Sequence, residues 1–396
     1  MRTALRLPSS IVALLLLAPL FASAEPLLLA PFGCSLDLPE GWVPVSAEDS
    51  SRLSFSDPDS GAMLQCGIFT HDPALGAEAL GKDFARQLSA KEKGAAFEFS
   101  GRDAYLSQVD FSSAGNPFKG FLLVVSRLHH GSSPADEDAL LVAFVPAESF
   151  DRERDSLASA LDSFSPDEEG RLLPGPVSQS ISPFPAHDLR KTHLAFLGGI
   201  VEVAVGRGEA EATQGLIERE ARVLVAYRAG HRGAWQRYYQ MIYRDNYHRL
   251  DGVFAGIRKR LREKGVAPEE YPVELLSWIQ GFSYVRTGTL SDFLSPVSAM
   301  LSASGDCDSL AILYAALLDH LGIDAILFVS TRFSHALAGV DIPRPGATLD
   351  FEGRRYLVAE MTERVPIGLI AQEMADTSAW IPMRLRETRA QRLGVP

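Results

Sequence analysis

The sequence predicts an α+β protein: an N-terminal antiparallel-sheet sandwich with covering helices, a helical middle segment, and a C-terminal core in which a helix packs on antiparallel sheet. Three observations carry this reading. The first third is mostly short runs in which apolar and polar residues alternate, the pattern of half-buried strands. A Pro- and Ser-rich stretch over 166–188 then interrupts the chain. Beyond it, apolar residues recur every three or four positions before giving way to a helix followed by strands. At 396 residues, 46% hydrophobic and 22% charged, the chain is long enough for two or three domains, and its composition excludes wholesale disorder and collagen-like repetition.

Residues 1–24 read as a signal peptide. Arg2 and Arg6 precede an apolar run from Ile11 to Phe21, and Ala22-Ser23-Ala24 supplies a small-x-small cleavage site. Left uncleaved, the same run would be an N-terminal anchor, though it is short for a membrane span. No later stretch reaches membrane length; Leu194 to Val205 is broken by Glu202 and reads as a buried helix. The expectation is a periplasmic or secreted protein with no stable membrane insertion after cleavage.

Over 25–165 the expected strands are Phe32 to Leu38, Leu53 to Phe55, Met63 to Phe69, Ala104 to Phe111, Phe121 to Leu128 and Leu140 to Val145. Ala77 to Leu88 and Phe150 to Phe164 read as helices, the second with Leu157, Leu161 and Phe164 at helical spacing. Residues 166–188 contain Pro166, Pro174, Pro176, Pro183 and Pro185 and read as an interdomain linker. Residues 189–264 read as a helical segment packing on the catalytic core, clearest where Tyr239, Ile242, Asn246, Leu250, Val253, Ile257 and Leu261 keep helical spacing. Trp235, Tyr238, Tyr239, Tyr243 and Tyr247 are assigned to core packing, with a binding stripe as the alternative. Residues 265–396 form the last domain.

The formal net charge of −12 argues against phosphate-backbone binding, so no nucleic-acid partner is expected. The cluster Arg258, Lys259, Arg260 and Arg262 reads as a solvated helix face. Cys34, Cys66 and Cys307 are an odd set for an oxidising compartment. Cys34 and Cys66 lie close in sequence on two expected strands and are candidates for a disulfide, which leaves Cys307 as the free thiol; a lipidated Cys34 is the alternative.

The chemistry is expected in the C-terminal third, since the chain has no C-x-x-C, H-E-x-x-H, G-x-S-x-G or Walker A motif. Ser304-Gly305-Asp306-Cys307-Asp308-Ser309 leads into Leu310 to Leu321, with Gly322 as terminator. This is a capped helix with a cysteine in its first turn. The helix start favours an anion and lowers a thiol pKa. Asp306 and Asp308 oppose that effect if they lie near the sulfur, so a cationic partner is required. Ile323 to Ser330 and Ser334 to Val340 then read as strands, the second opening with His335, and Tyr356 to Thr362 as a third that contains Glu360. Nucleophile, base and orienting carboxylate in that order suit a thiolate enzyme.

Gly-Asp-Cys-Asp at 305–308, the helix through Leu-Leu-Asp-His-Leu-Gly-Ile-Asp-Ala at 317–325, the strand His-Ala-Leu-Ala-Gly-Val at 335–340, and Ala-Glu-Met-Thr at 359–362 together resemble a bacterial transglutaminase-like domain of the papain-like cysteine peptidase superfamily. The resemblance covers roughly residues 235–390, including Tyr284 and the segment Pro296 to Leu301. It implies Cys307 as nucleophile, His335 as general base and acid, and Glu360 as the orienting acid. Two departures stand out: many members have a second acid where Ser309 stands, and many have Asp where Glu360 stands. Glu360 is expected to reach imidazole Nδ1, with Asp341 as the fallback. The Cys307 amide, Gln280 and Tyr284 are the oxyanion candidates. In the first domain, Pro39-Glu40-Gly41-Trp42 and the closing helix after Val145-Pro146 resemble PsbP-like domains, which implies binding rather than chemistry.

The expected function is therefore a thiol enzyme that attacks amide bonds in a protein or peptide substrate through a Cys307 thioester, most simply a cysteine peptidase or amide hydrolase. Transfer of the acyl group to an amine, giving a crosslink, uses the same intermediate. A non-catalytic envelope protein that holds a partner through its N-terminal domain is the reading from a different class. No cofactor or metal is expected. His129, His130, His187 and His193 lack metal-ligand spacing, and Asp306 and Asp308 alone fall short of a Ca²⁺ site.

Overall fold

The computed structural model describes residues 27–29, 32–49, 51–70, 75–126, 137–226 and 232–386. The signal peptide assigned to 1–24, His129 and His130 lie outside the described residues. The α+β class holds throughout: antiparallel sheets and helices share both halves of the chain.

A short hairpin of β1 (Leu27–Leu29) and β2 (Cys34–Leu36) precedes the first large sheet. That sheet contains β3 (Val43–Asp49), β4 (Arg52–Asp57), β5 (Ala62–Thr70), β6 (Lys91–Phe99), β7 (Arg102–Ser113), β8 (Asn116–Val125) and β9 (Glu137–Pro146), with α1 (Ala77–Gln87) between β5 and β6 and α2 (Phe150–Asp162) after β9. The spatial order is β3-β4-β5-β9-β8-β7-β6, and every pair is antiparallel. In β5, Ala62, Leu64, Cys66 and Ile68 point to one face, as a period of two requires. They join Leu123, Leu141, Leu157, Leu161 and Phe164 under α2. The opposite face buries Tyr105, Val109, Leu122 and Val142 under Ala77 and Phe84 of α1. A sheet covered on both sides explains why central β9 is buried from Asp138 to Val145. Cys34 and Cys66 share the α2-side core as free thiols, not as the disulfide considered from sequence. Burial pushes the Cys34 thiol up to about 12.

Residues 166–188 are not the solvated linker their composition suggests. They include α3 (Pro176–Ile181), in which Pro176, Val177, Ser178 and Gln179 are buried. Polar bonds supply what the segment lacks in apolar area. The Asp162 carboxylate accepts from the Ser178 amide at 2.9 Å and hydroxyl at 2.8 Å, and Gln179 Nε2 donates to the Pro174 carbonyl at 2.7 Å.

The segment 189–264 also departs from the all-helical reading. It opens with β10 (Leu189–Phe196) and β11 (Gly199–Gly206), an antiparallel hairpin. Leu194 to Val205, read from its apolar content as a buried helix, is most of that hairpin. Val201, Val203 and Val205 alternate with the exposed Glu202, a strand period. The helices follow as α4 (Glu209–Val225), α5 (Arg232–Tyr247) and α6 (Asp251–Glu263). On α5, Tyr238, Tyr239, Tyr243 and Tyr247 are buried, so the aromatic set is core.

The remaining elements are α7 (Tyr271–Ile279), β12 (Ser283–Tyr284), α8 (Pro296–Ser302), β13 (Ser304–Gly305), α9 (Cys307–His320), β14 (Ala325–Ser330), β15 (His335–Val340), β16 (Thr348–Phe351), β17 (Arg354–Ala359) and β18 (Ile381–Met383). The second large sheet runs β16-β17-β15-β14-β18, antiparallel throughout. The central helix α9 is buried from Ser309 to Asp319. It lies against β14 and β15 on one side and α5, α7 and α8 on the other. This packing fixes the start of α9 beside the start of β15. No helix among the described residues is long and apolar enough to cross a membrane.

A buried ionic seam joins the two halves. Arg219 Nη2 lies 2.5 Å from Asp162 Oδ2 and Arg219 Nε donates to Glu220 Oε1 at 2.8 Å. Glu220 Oε2 accepts from Ser159 Oγ at 2.8 Å and from Arg237 Nη1 at 3.1 Å. Arg237 Nε reaches back to the Asp37 carbonyl at 2.8 Å.

Candidate active site

Asp306 caps α9. Its Oδ1 accepts from the Ser309 amide at 3.0 Å and from the Ser309 hydroxyl at 2.6 Å, which satisfies one of the free amides of the first turn. Ser309 is thus part of the cap; its Oγ also accepts from the Leu294 amide at 2.9 Å. Cys307 follows at the first helical position, 5% exposed. Its amide belongs to the group that helix geometry leaves without an intrahelical acceptor, as an oxyanion donor must be.

His335 opens β15 directly after Ser334, whose φ is +49°. Its Nε2 lies 2.7 Å from Glu360 Oε2. The sequence reading placed Glu360 on Nδ1; the structure places it on Nε2. The difference follows from Glu360's position just past the end of β17, the neighbour of β15. A carboxylate only accepts, so Nε2 carries a proton and Nδ1 is left as the basic nitrogen. The other carboxylate oxygen, Oε1, accepts from the Thr362 amide and hydroxyl, each at 2.7 Å. Burial works to raise the Glu360 pKa, but the bonds from His335 and Thr362 outweigh it and hold the carboxyl below its usual range. Asp341, the fallback partner, is paired with Arg354 at 3.1 Å beyond the far end of β15.

The surroundings of Cys307 differ from the thiolate expected at a helix start. Burial raises its pKa well above the ordinary thiol value, and the charges of Asp308 and Asp306 add to that. The thiol donates to Asp308 Oδ2 at 3.5 Å. The Ala336 amide, next to His335 in the chain, acts in the opposite sense by favouring the thiolate. Asp308 is held from behind by the buried Tyr239, whose hydroxyl donates to Oδ1 at 2.6 Å. Burial and the Asp308 charge push Asp306 up to about 6. Burial, Asp308 and Asp306 thus all favour the protonated thiol over the thiolate that a helix start alone would favour.

Other side chains complete the site. Gln280, an oxyanion candidate from sequence, spends both amide hydrogens on the carbonyls of Glu360 and Val365, each at 2.8 Å. It positions the Glu360 segment. Tyr284 lies on β12 beside Gly305 of β13 and is 56% exposed. The Trp380 ring stands 6.4 Å from the His335 ring at 66°, and its Nε1 donates to the Met374 carbonyl at 2.9 Å. Trp380 was out of reach of sequence reasoning, because it arrives from a distant element, and Tyr239, assigned from sequence to the core, also sends its hydroxyl to the site. Thr362 carried a local signal, two residues after Glu360, the spacing at which a hydroxyl and amide fold back on a carboxylate. Asp306, Cys307 and Asp308 bring ligand atoms within 4.8 Å of one another, but two carboxylates and a sulfur do not supply the six to eight oxygens that Ca²⁺ takes.

No protein-family model matches the chain, and no curated protein matches it. Among solved structures, LpqN of Mycobacterium tuberculosis, described as involved in cell envelope biogenesis, shares 16% identity at a TM-score of 0.26 over 35% of this chain and 85% of its own. A protein from Bacteroides thetaiotaomicron VPI-5482 shares 10% identity at a TM-score of 0.24 over 82% of this chain and 85% of its own.

Proposed function

We propose that this chain is a periplasmic or secreted thiol enzyme, similar to transglutaminase-like proteins, that attacks amide bonds through a thioester on Cys307. The observation that carries the reading is the His335–Glu360 pair at 2.7 Å, set on the strand whose Ala336 amide acts on the Cys307 sulfur. His335 Nδ1 takes the thiol proton as Sγ adds to the carbonyl carbon, and Glu360 stabilises the imidazolium that results. The imidazolium gives its proton to the leaving amine as the C–N bond breaks. Water then gives a proton to Nδ1 as its oxygen attacks the thioester, and the proton returns to Sγ as the acid departs.

Hydrolysis of a protein or peptide is the favoured outcome. Tyr284, Val285, Leu290 and Leu301 are exposed apolar side chains on the segments leading into Gly305, suited to holding apolar residues of an extended peptide. The first domain is read as the part that brings the enzyme to an envelope partner. The burial of the thiol and its bond to Asp308 are the features that favour the alternative of a non-catalytic binding protein.

The test is incubation of the purified protein with a peptide-amide library, with and without an added primary amine, read by mass spectrometry. Cleaved peptides that vanish with Cys307→Ala support hydrolysis, and amine-tagged peptides that vanish with it support transfer. Neither product, from a protein whose Cys307→Ala form still binds the same partners, overturns the enzyme reading in favour of binding.

A further inference from the structure

A second cluster of ligand-bearing side chains lies at the other end of α9 from Cys307. His320 is the last residue of α9, His248 lies in the turn between α5 and α6, and Asp251 opens α6. Their ligand atoms all lie within 4.8 Å of one another. His320 Nδ1 is 3.1 Å from the Ala316 carbonyl, which can only accept, so Nδ1 carries a hydrogen. In a neutral ring Nε2 then presents a lone pair, yet it lies 2.8 Å from Asp251 Oδ1, another acceptor. His248 Nδ1 stands 3.2 and 3.1 Å from Oδ1 and Oδ2 of the same carboxylate.

Two acceptors this close need a cation, either a ring proton or a metal ion. The His320 side chain is only 9% exposed. Its ring lies against Tyr247 and Phe254, with centroids 3.8 and 3.6 Å away. Those neighbours would strip most of the water from an imidazolium. A ring N–H given to a backbone carbonyl, with the other nitrogen turned to a carboxylate and a second imidazole, is how metal-ligating histidines are oriented. The contacts of 2.8 to 3.2 Å span the ligand–ligand edges of about 2.8–3.0 Å around a six-coordinate ion bound at ~2.0–2.1 Å, and lie just below the about 3.3–3.4 Å of a four-coordinate one. Asp251, with 54% of its side chain exposed, leaves one side open to solvent for entry and for a water ligand.

We propose that His248, Asp251 and His320 form a binding site for a divalent transition-metal ion of the zinc class, with two imidazole nitrogens and one carboxylate oxygen as ligands. The ion ties the start of α6 to the end of α9. At 1.5 Å per residue the site stands about 20 Å from Cys307, so it is separate from the thiol chemistry and braces the helix that presents it.

The test is titration of the purified protein with ZnCl₂ at pH 7.5 by calorimetry, paired with thermal melting and with Co²⁺ absorption. The expected result is one ion per chain, a raised Tm, and cobalt bands free of thiolate charge transfer. Cys307→Ala should leave binding unchanged, while His248→Ala and Asp251→Asn should each weaken it at least about tenfold. Both sites are partly exposed, which makes these variants safer for folding than one at His320. Absence of zinc binding by the folded wild type overturns the proposal. So does binding that survives both substitutions, or binding lost in Cys307→Ala, which would place the ion at Asp306, Cys307 and Asp308.

Discussion

Nε2 of His335 and Oε2 of Glu360 lie 2.7 Å apart, which commits that ring nitrogen to a proton and, in a neutral ring, leaves the lone pair on Nδ1. Glu360 is itself fixed by two bonds from Thr362, so the imidazole is oriented by a carboxylate that cannot readily swing away.

Glu360→Gln keeps the shape but can hold the ring in the wrong tautomer. Amide-bond turnover should fall about 10²- to 10⁴-fold, measured as kcat/KM on whichever peptide the library identifies. The same pair makes a prediction about stability. The folded-state pKa of Glu360 is depressed, so its contribution is fully present above the ordinary glutamate value of about 4.3 and is lost as pH falls through the lower folded value. Urea midpoints of wild type and Glu360→Gln should differ at pH 6 and converge as the pH is taken below that range.

Asp308 accepts from the thiol, and its charge is among the causes that hold the Cys307 pKa high. Asp308→Asn removes that charge, so the pH midpoint for alkylation of Cys307 should move down. Tyr239→Phe removes the bond that anchors Asp308 and should change the midpoint as well. Iodoacetamide labelling against pH, read by mass spectrometry, checks both. A midpoint unmoved in Asp308→Asn would show that burial and Asp306, not Asp308, set the thiol.

Much of this site was legible because its residues sit at element boundaries that the sequence marks. Asp306 and Gly322 bracket α9, and apolar runs mark β14, β15 and β17, so the order Cys307, His335, Glu360 could be placed on a helix start and two strand ends. The ring nitrogen that meets Glu360 was not legible, since it depends on the relation between β15 and β17 in space. The 189–206 hairpin was hidden by an apolar run that resembles a helix unless the alternation through Val201, Glu202, Val203 and Val205 is followed. β6 was missed because Lys91–Phe99, an edge strand, is largely exposed and polar. The 166–188 segment misled because its order comes from Asp162, Ser178 and Gln179 bonds, which composition does not register. Trp380 and Tyr239 reach the site only through tertiary packing.

The seam of Asp162, Arg219, Glu220 and Arg237 joins the halves through charges that are almost wholly buried. Arg219→Met removes the cation that Asp162 and Glu220 share, leaving buried Asp162 to its Ser178 bonds, and should cost roughly 3–5 kcal/mol, measured by urea unfolding at pH 7. A concurrent loss of cooperativity between probes in the two halves would locate the damage at the seam.

The central claim is that Cys307 is an acyl-accepting nucleophile whose proton is taken by His335. The most direct measurement is the rate of acyl-adduct formation with a peptidyl activated ester, located by peptide mapping. The expected result is an adduct on Cys307, none in Cys307→Ala, and a rate at least about 10²-fold slower in His335→Ala. An adduct that forms equally fast without His335, or no adduct on Cys307 in the folded protein, would contradict it.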